Sequence, residues 1–304
     1  MSTARGWVRF HNRRERLTID AATGGARCEW MYTSDLHLCS VYPSTAQTLM
    51  RRATAQWPIA FAERPAIDGA PRVSFVIGHR GEARAPHLLR TLAAIAAQRA
   101  VPVECIVVEQ SARPVIQSRL PPWVRYLHTP IASDDEPYNR SQTLNAGAAI
   151  AKSPLLVLHD NDFLVPAQYA AELAKRHDEG NEIIDLKRFM FYLAPDERGP
   201  ERVVQNLLAG GSVAADRRAY DEIGGFDESF VGWGGEDNEF WDRASTRRVF
   251  AFGYLPLVHL WHAPQPEKAA NEADAGRARR EELERVPREE RIRRLRDRAA
   301  SARR

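Results

Sequence analysis

The sequence predicts an α/β domain, and two stretches carry that reading. From Val73 to Val108 the chain reads strand, helix, strand. Val73–Ile77 is a short apolar run, Pro86–Gln98 puts Leu88, Leu89, Leu92 and Ile95 on one helical stripe, and Cys105–Val108 is a second apolar run. That order and spacing make a βαβ unit. Further on, Leu155–Leu158 is apolar at every position and runs into His159-Asp160-Asn161-Asp162. A strand apolar on both faces lies centrally in a sheet covered on both sides. Such sheets bind ligands beyond the carboxyl ends of their strands. Gly78-His79-Arg80, Glu109 and the Asp160–Asp162 pair are therefore expected at one pocket.

The remaining elements follow in order. Residues 1–70 read as a preface: short strands at Trp7–Phe10 and Leu17–Ile19, a turn near Gly24-Gly25, and a helix over Thr45–Ala55. The main domain spans 71–265. Within it, Pro121–Pro137 reads as a Pro-rich loop, and Ser141–Ala151 as an Ala-rich helix led in by Tyr138-Asn139-Arg140. Ala167–His177 reads as a helix, Ile183–Leu186 and Phe189–Leu193 as strands, and Pro195–Glu201 as a polar loop. Leu207–Ala214 holds Gly210-Gly211, which permits close backbone approach to a ligand. Ala219–Ile223 reads as a short helix, and Phe250–Tyr254 and Leu257–Leu260 as strands. Residues 266–304 form a charged tail, read as a solvated helix or a disordered segment, with Leu283, Val286, Ile292 and Leu295 as a thin stripe.

Charge and cysteine content exclude several classes. From Gln265 onward there are 13 basic and 9 acidic residues, a net of +4 against +3 for the whole chain, so the rest carries −1. The basic character lies in the tail, and the body shows no nucleic-acid-binding charge. No apolar run reaches the length of a membrane-spanning helix, and the N-terminus has no signal-peptide pattern. Cys28, Cys39 and Cys105 form no CxxC pair, which fits free thiols in a reducing cytoplasm. Neither GxGxxG nor GxxxxGK[ST] follows the first strand of the main domain.

Three motifs carry candidate chemistry. In extended chain, Asp160 and Asp162 would face one side with Asn161 turned away. Paired carboxylates there suit a hard divalent cation, manganese or magnesium. His262, with His259 second, could join them if the chain turns after its strand. The third motif is Phe230–Arg243, FVGWGGEDNEFWDR. Gly232, Gly234 and Gly235 flank Trp233 as in a closing lid. Glu236 and Asp237 open a helix whose dipole favours ionised carboxylates, and either could accept a proton.

Together the motifs resemble the β-1,4-galactosyltransferase-like branch of the GT-A glycosyltransferases. The resemblance rests on YNRSQTLNAG (138–147), DND (160–162), GGSVAADRRAYDEIGGF (210–226), GWGGED (232–237) and HLWH (259–262). It implies a Rossmann-like mixed sheet flanked by helices, and an inverting, manganese-dependent transfer from a UDP-sugar to an acceptor hydroxyl on a glycan or small molecule. It implies metal ligation by Asp162 and His262, and contact of Asp160 with donor sugar or ribose. Arg80 and Arg140 would contact UDP, Leu208 would lie near the donor 2-substituent, and Trp233 would be the lid. Asp237 would be the catalytic base, with Glu236 beside it. The chain departs from the family in Gly78-His79, in Asn238, in its preface, and in lacking a Golgi anchor. The last point sets the expectation of a cytoplasmic, bacterial enzyme. A sugar nucleotidyltransferase should show a lysine-bearing Gly-rich loop, and a non-catalytic binding module should have lost the acidic residues. Neither description fits the sequence.

Overall fold

The computed structural model describes residues 17–19, 26–28, 33–208, 210–232, 234–263 and 272–302. The expected strand at Trp7–Phe10 and the turn at Gly24-Gly25 lie outside these residues. Strands β1 (Leu17–Ile19) and β2 (Ala26–Cys28) pair with each other. The elements β3 (Ser34–Asp35), α1 (His37–Val41) and α2 (Pro43–Gln56) follow. The main body begins with β4 (Val73–His79), α3 (Ala85–Ala96), β5 (Val103–Ser111), β6 (Arg125–Pro130), α4 (Arg140–Ile150) and β7 (Leu155–His159). It continues with β8 (Phe163–Leu164), α5 (Tyr169–Asp178), β9 (Ile183–Ile184), β10 (Lys187–Leu193), β11 (Pro200–Gln205) and β12 (Ser212–Asp216). Then come α6 (Arg217–Glu222), α7 (Glu236–Ala244), β13 (Val249–Phe250) and β14 (Leu255–His259), and finally α8 (Glu272–Glu284) and α9 (Arg288–Ala302).

A seven-stranded sheet runs β13-β9-β12-β7-β4-β5-β6. Strands β4, β5, β6 and β7 are parallel, and β12 lies antiparallel to β7, so the sheet is mixed. The apolar run Leu155–Leu158 is central. Alternation along β4 shows how both faces are covered. Phe75 and Ile77 join Leu88, Leu92, Ile95, Tyr169 and Leu173 from α3 and α5. Val76 joins Leu144, Tyr220 and Phe240 from α4, α6 and α7 on the other face. This is the α/β, GT-A-like architecture the sequence implies.

The remaining strands of the body form a second sheet, β3-β11-β10-β14-β8. The segment from residue 33 onward joins it through β3, and Cys39 and Ala46 are buried with Phe191, Val203 and Leu164. Two expected loops contain strands. Strand β6 falls inside Pro121–Pro137, and β11 begins within Pro195–Glu201. Strand β6 is an edge strand with half-buried, partly polar side chains, so it shows no apolar run. Pro130 ends β6 and Pro200 opens β11, positions where a strand tolerates the missing N–H. The reading Phe250–Tyr254 shrinks to Val249–Phe250, and β14 starts at Leu255.

The charged C-terminal stretch forms α8 and α9, which are docked on α6 and α7 rather than solvated. Leu283 and Leu295 of the expected stripe are buried. Among the described residues no helix is long and apolar enough to cross a membrane.

Close approach of α4 to the sheet depends on Gly147. A Cβ there would lie 2.3 Å from Val76 Cγ1 and 3.0 Å from Val108 Cγ2. Gly→Ala in a helix interior gains roughly 0.5–1 kcal/mol of propensity. Overpacking costs about 1–3 kcal/mol. The clash therefore outweighs the gain, and Gly147→Ala should lower stability in urea unfolding. A stabilised variant would show that α4 can slide off the sheet.

Candidate active site

Strands β4, β7 and β14 deliver their ends to one cleft of about 530 Å³. At one wall the chain leaves β7 at Asp160 and turns through Asn161 and Asp162. The extended reading of this D-x-D is therefore corrected. Its carboxylates both line the cleft but have different partners. Asn161 also lines the cleft, and its amide lies 2.9 Å from Nδ1 of the buried His79.

Asp162 faces His259, His262 and Arg84. Its Oδ2 lies 3.4 Å from His262 Nε2, 3.9 Å from His259 Nε2 and 3.0 Å from Arg84 Nη1. Strand β14 ends at His259, and the Leu260 N–H donates to the Asp162 carbonyl at 2.9 Å. That bond turns the chain and brings His262 back to the same carboxylate. The ligating atoms of Asp162, His259 and His262 lie within 4.8 Å of one another, a spacing one metal ion could span. Two further observations fit a metal. Asp162 Oδ1 is buried without a hydrogen-bond partner. His262 Nδ1 donates to the Ala263 carbonyl at 2.8 Å, which leaves Nε2 facing Asp162, as a donor when the ring is protonated and as a metal ligand when it is neutral. Burial opposes ionisation of Asp162, but His262, His259 and Arg84 outweigh it and hold the carboxyl at about 2. A metal needs that deprotonated state.

At the other wall, α7 begins at Glu236 after Gly235, whose φ of 91° favours glycine. Arg140, the first residue of α4, reaches across. Its guanidinium lies 2.7 Å from Asp160, 3.0 Å from Asp237 and 4.0 Å from Glu236. Asp160 also accepts from the Gly211 N–H at 3.2 Å, and its own N–H donates to the Gly211 carbonyl at 2.8 Å. Gly210 and Gly211, with φ of 86° and 81°, make that close backbone pairing possible. Asn139 caps α4 by accepting from Gln142 N–H at 2.9 Å and donates to the Glu228 carbonyl at 2.8 Å. The segment before the Gly-rich turn is thereby tied to α4.

The expectation that the helix start keeps these acids ionised is corrected for Glu236. Burial, then the neighbouring Asp237, push Glu236 up to about 7. Asp237 is also raised by burial, against the opposing pull of Arg140. Arg140 is driven well above its ordinary value, because the three carboxylates outweigh its burial.

Other residues named from sequence fall as follows. Arg80 lines the cleft and donates to the Asp134 carbonyl at 3.1 Å. Glu109 does not line it. Its carboxylate is fully buried and accepts from Val115 and Ile116 N–H and, at 2.6 Å, from Tyr126 O–H. It is a loop anchor, not a ligand contact. Leu208 is also off the cleft, and its neighbour Leu207 lines it. Trp233 lies outside the described residues. Tyr138, in the stretch read with Arg140, lines the cleft, and so do Arg84, Phe163 and Tyr192, which were not read from sequence. Arg84 follows Arg80 in the loop after β4, and a basic residue there could have been flagged. Tyr192 and Phe163, which pack their rings 4.8 and 4.9 Å from His259, give no local signal. Tyr138 and Thr143 crowd Gly78. A Cβ there would lie 2.2 Å from the Tyr138 hydroxyl.

The raised Glu236 carries a pH dependence with a definite sign. Unfolded chain ionises this group near 4.5, and the folded protein near 7. Between those values the native state binds more protons, so stability falls as pH rises through the window. Glu236→Gln removes that contribution, and its melting temperature should fall less than wild type's between about pH 5 and 7.5. Equal falls would show that Glu236 ionises normally.

Residues 202–255 match the family described as the N-terminal domain of galactosyltransferase. That stretch holds the Gly210-Gly211 pair and the start of α7. The chain is 27% identical over 116 residues to beta-1,4-galactosyltransferase 5 of Danio rerio. The alignment covers 36% of this chain and 27% of that protein, so the chain spans only about a quarter of its relative. Family match and relative together show that this part of the chain is similar to galactosyltransferases.

Proposed function

We propose that this domain moves a hexose or N-acetylhexosamine from a UDP-sugar to an acceptor hydroxyl, with inversion. The observation that supports this best is the division of the cleft. One wall carries a cluster of the kind that holds a divalent ion, and the other carries a carboxylate pair on a helix start. Inversion needs that separation, because the leaving group and the attacking hydroxyl occupy opposite faces of the sugar. A divalent ion bound by Asp162, His259 and His262 would offset charge on the departing diphosphate. Two imidazoles with one carboxylate suit a transition ion such as manganese better than magnesium, which prefers all-oxygen ligands.

The chain's own groups supply the rest. Arg80, Arg84 and Arg140 present guanidinium groups to an anionic leaving group. Asp160, fixed by Arg140 and the Gly211 N–H, is placed to accept from a donor hydroxyl. Asp237 accepts the proton of the acceptor hydroxyl as it attacks. Glu236 is the second choice for that role. Its value of about 7 suits proton transfer near neutral pH, but it lacks the close Arg140 contact that fixes Asp237.

A panel of UDP-sugars with purified full chain, scored by UDP release with manganese and with chelator, tests the class. Release dependent on manganese supports it, and no release from any donor would remove it. Asp162→Ala should abolish metal-dependent UDP binding in calorimetry. Wild-type binding by that variant would take Asp162 out of the metal site.

Asp237→Asn separates chemistry from binding. UDP and manganese should bind as in wild type, while transfer should fall at least ~10²-fold, the usual loss for a general base. Undiminished turnover would pass the role to Glu236, and loss of UDP binding would make Asp237 a structural residue.

A further inference from the structure

Helix α7 cannot hold its own position. It has nine residues, too few for a helix to be stable alone in water. Its start has no side-chain cap, and Gly232, Gly234 and Gly235 all adopt positive φ before it. Where Glu236 and Asp237 point is therefore set by what packs on α7.

Much of that packing comes from the C-terminal helices. Glu239 is buried, and its carboxylate accepts from Arg243 at 2.6 Å and from Arg291 of α9 at 2.8 Å. Arg243, fully buried, spends its other nitrogen on the Ile223 and Gly225 carbonyls at 2.5 and 2.7 Å. Arg291 also bonds Asp242, which Arg288 holds at 2.8 Å. Contacts reach both flanks of the Gly-rich turn. Before it, Leu295 sits against Gly224, Arg298 pairs with Asp227 at 3.3 Å, and Arg279 bonds Ser229 at 3.1 Å. After it, a Cβ on Gly235 would lie 2.7 Å from the Gly276 carbonyl of α8, so that helix rests on the hinge itself.

We propose that α8 and α9 are a clamp that sets the orientation of α7, and that Arg291 is the positioning residue through which it acts. This rests on the reading of α7 as the helix bearing the proton acceptor. Arg291 bridges two carboxylates one turn apart on α7, and a planar fork does this where a lysine cannot. Its side chain touches neither the metal cluster nor Arg140, so the donor pocket is left intact when it is changed. A misplacement of about 1 Å at reacting groups costs about 10²-fold in rate.

The test uses the full chain with Arg291→Ala, Arg291→Lys and Arg291→Met, the last keeping the stem's packing should the alanine variant not fold. Two readouts are compared. In hydrogen exchange, amides of residues 236–244 should exchange at least ~10-fold faster in the alanine or methionine variant, while 73–79 and 155–159 stay protected. In UDP-sugar turnover, kcat should fall by roughly 10–100-fold with KM for donor changed less than about twofold, and lysine should restore part of it. Unchanged exchange over 236–244 overturns the clamp. So does equal loosening of α7 and the central strands, which would mean general destabilisation. A wild-type protein without UDP-sugar turnover defeats the proposed function, and the exchange arm still decides the clamp.

Discussion

Three carboxylates, Asp160, Glu236 and Asp237, converge on one cleft, and the Arg140 guanidinium lets them do so. Like charges in a buried site repel strongly enough to force protonation unless a cation intervenes. Arg140 lies 2.7 Å from Asp160 and 3.0 Å from Asp237, and stands 5.5 Å over the Phe226 ring. It does this from the first turn of α4, where the helix dipole disfavours a cation. The carboxylates must therefore supply the attraction that keeps it there. One side chain thus joins the end of β7, the start of α4 and the start of α7. Glu236, farthest from the guanidinium, is the acid whose carboxyl rises to about 7.

The opposite wall solves the reverse problem. Asp162 is a single carboxylate surrounded by groups that are or can become cationic, so it stays ionised despite burial. The histidines differ in how they are held. His262 is oriented by the Ala263 carbonyl, and His259 by the faces and edges of Tyr192 and Phe163. One cleft therefore keeps two charge balances apart, one centred on a cation and one on an anion.

The sequence made the centre of the fold legible and its edges obscure. Strands β4, β5 and β7 carry largely apolar runs because both faces are covered, and α3 shows its stripe for the same reason. Strand β6 pairs on one side only, so nothing in its side chains demanded an apolar pattern. At the site, position along a strand predicted more than orientation did. Asp160 and Asp162 reach the cleft, but the chain turns between them, and a period-two argument does not survive a turn. Glu109 stands at a strand's carboxyl end yet is captured by the N–H groups of Val115 and Ile116, a contact decided by the following loop. His259 and His262 meet at one carboxylate through the Leu260–Asp162 backbone bond, which joins segments about a hundred residues apart. No local pattern announces such a bond.

The C-terminal helices show a different failure of composition. Counting large apolar residues between 266 and 304 gives too few to build a core, and that arithmetic is correct for an isolated segment. It omits that arginine carries a long apolar stem, and that a fork can be buried when carboxylates meet it. Leu283, Leu295 and the Arg291 side chain are buried against helices that already have a core behind them. Buried ion pairs add little net stability, because desolvation offsets much of their attraction. They are demanding of geometry, since a pair that slips loses its attraction while still out of water. A hairpin fastened by Arg291–Glu239, a pair Arg243 supports from within α7, is for that reason poorly suited to hold a domain together. It is well suited to fix the angle of one short helix.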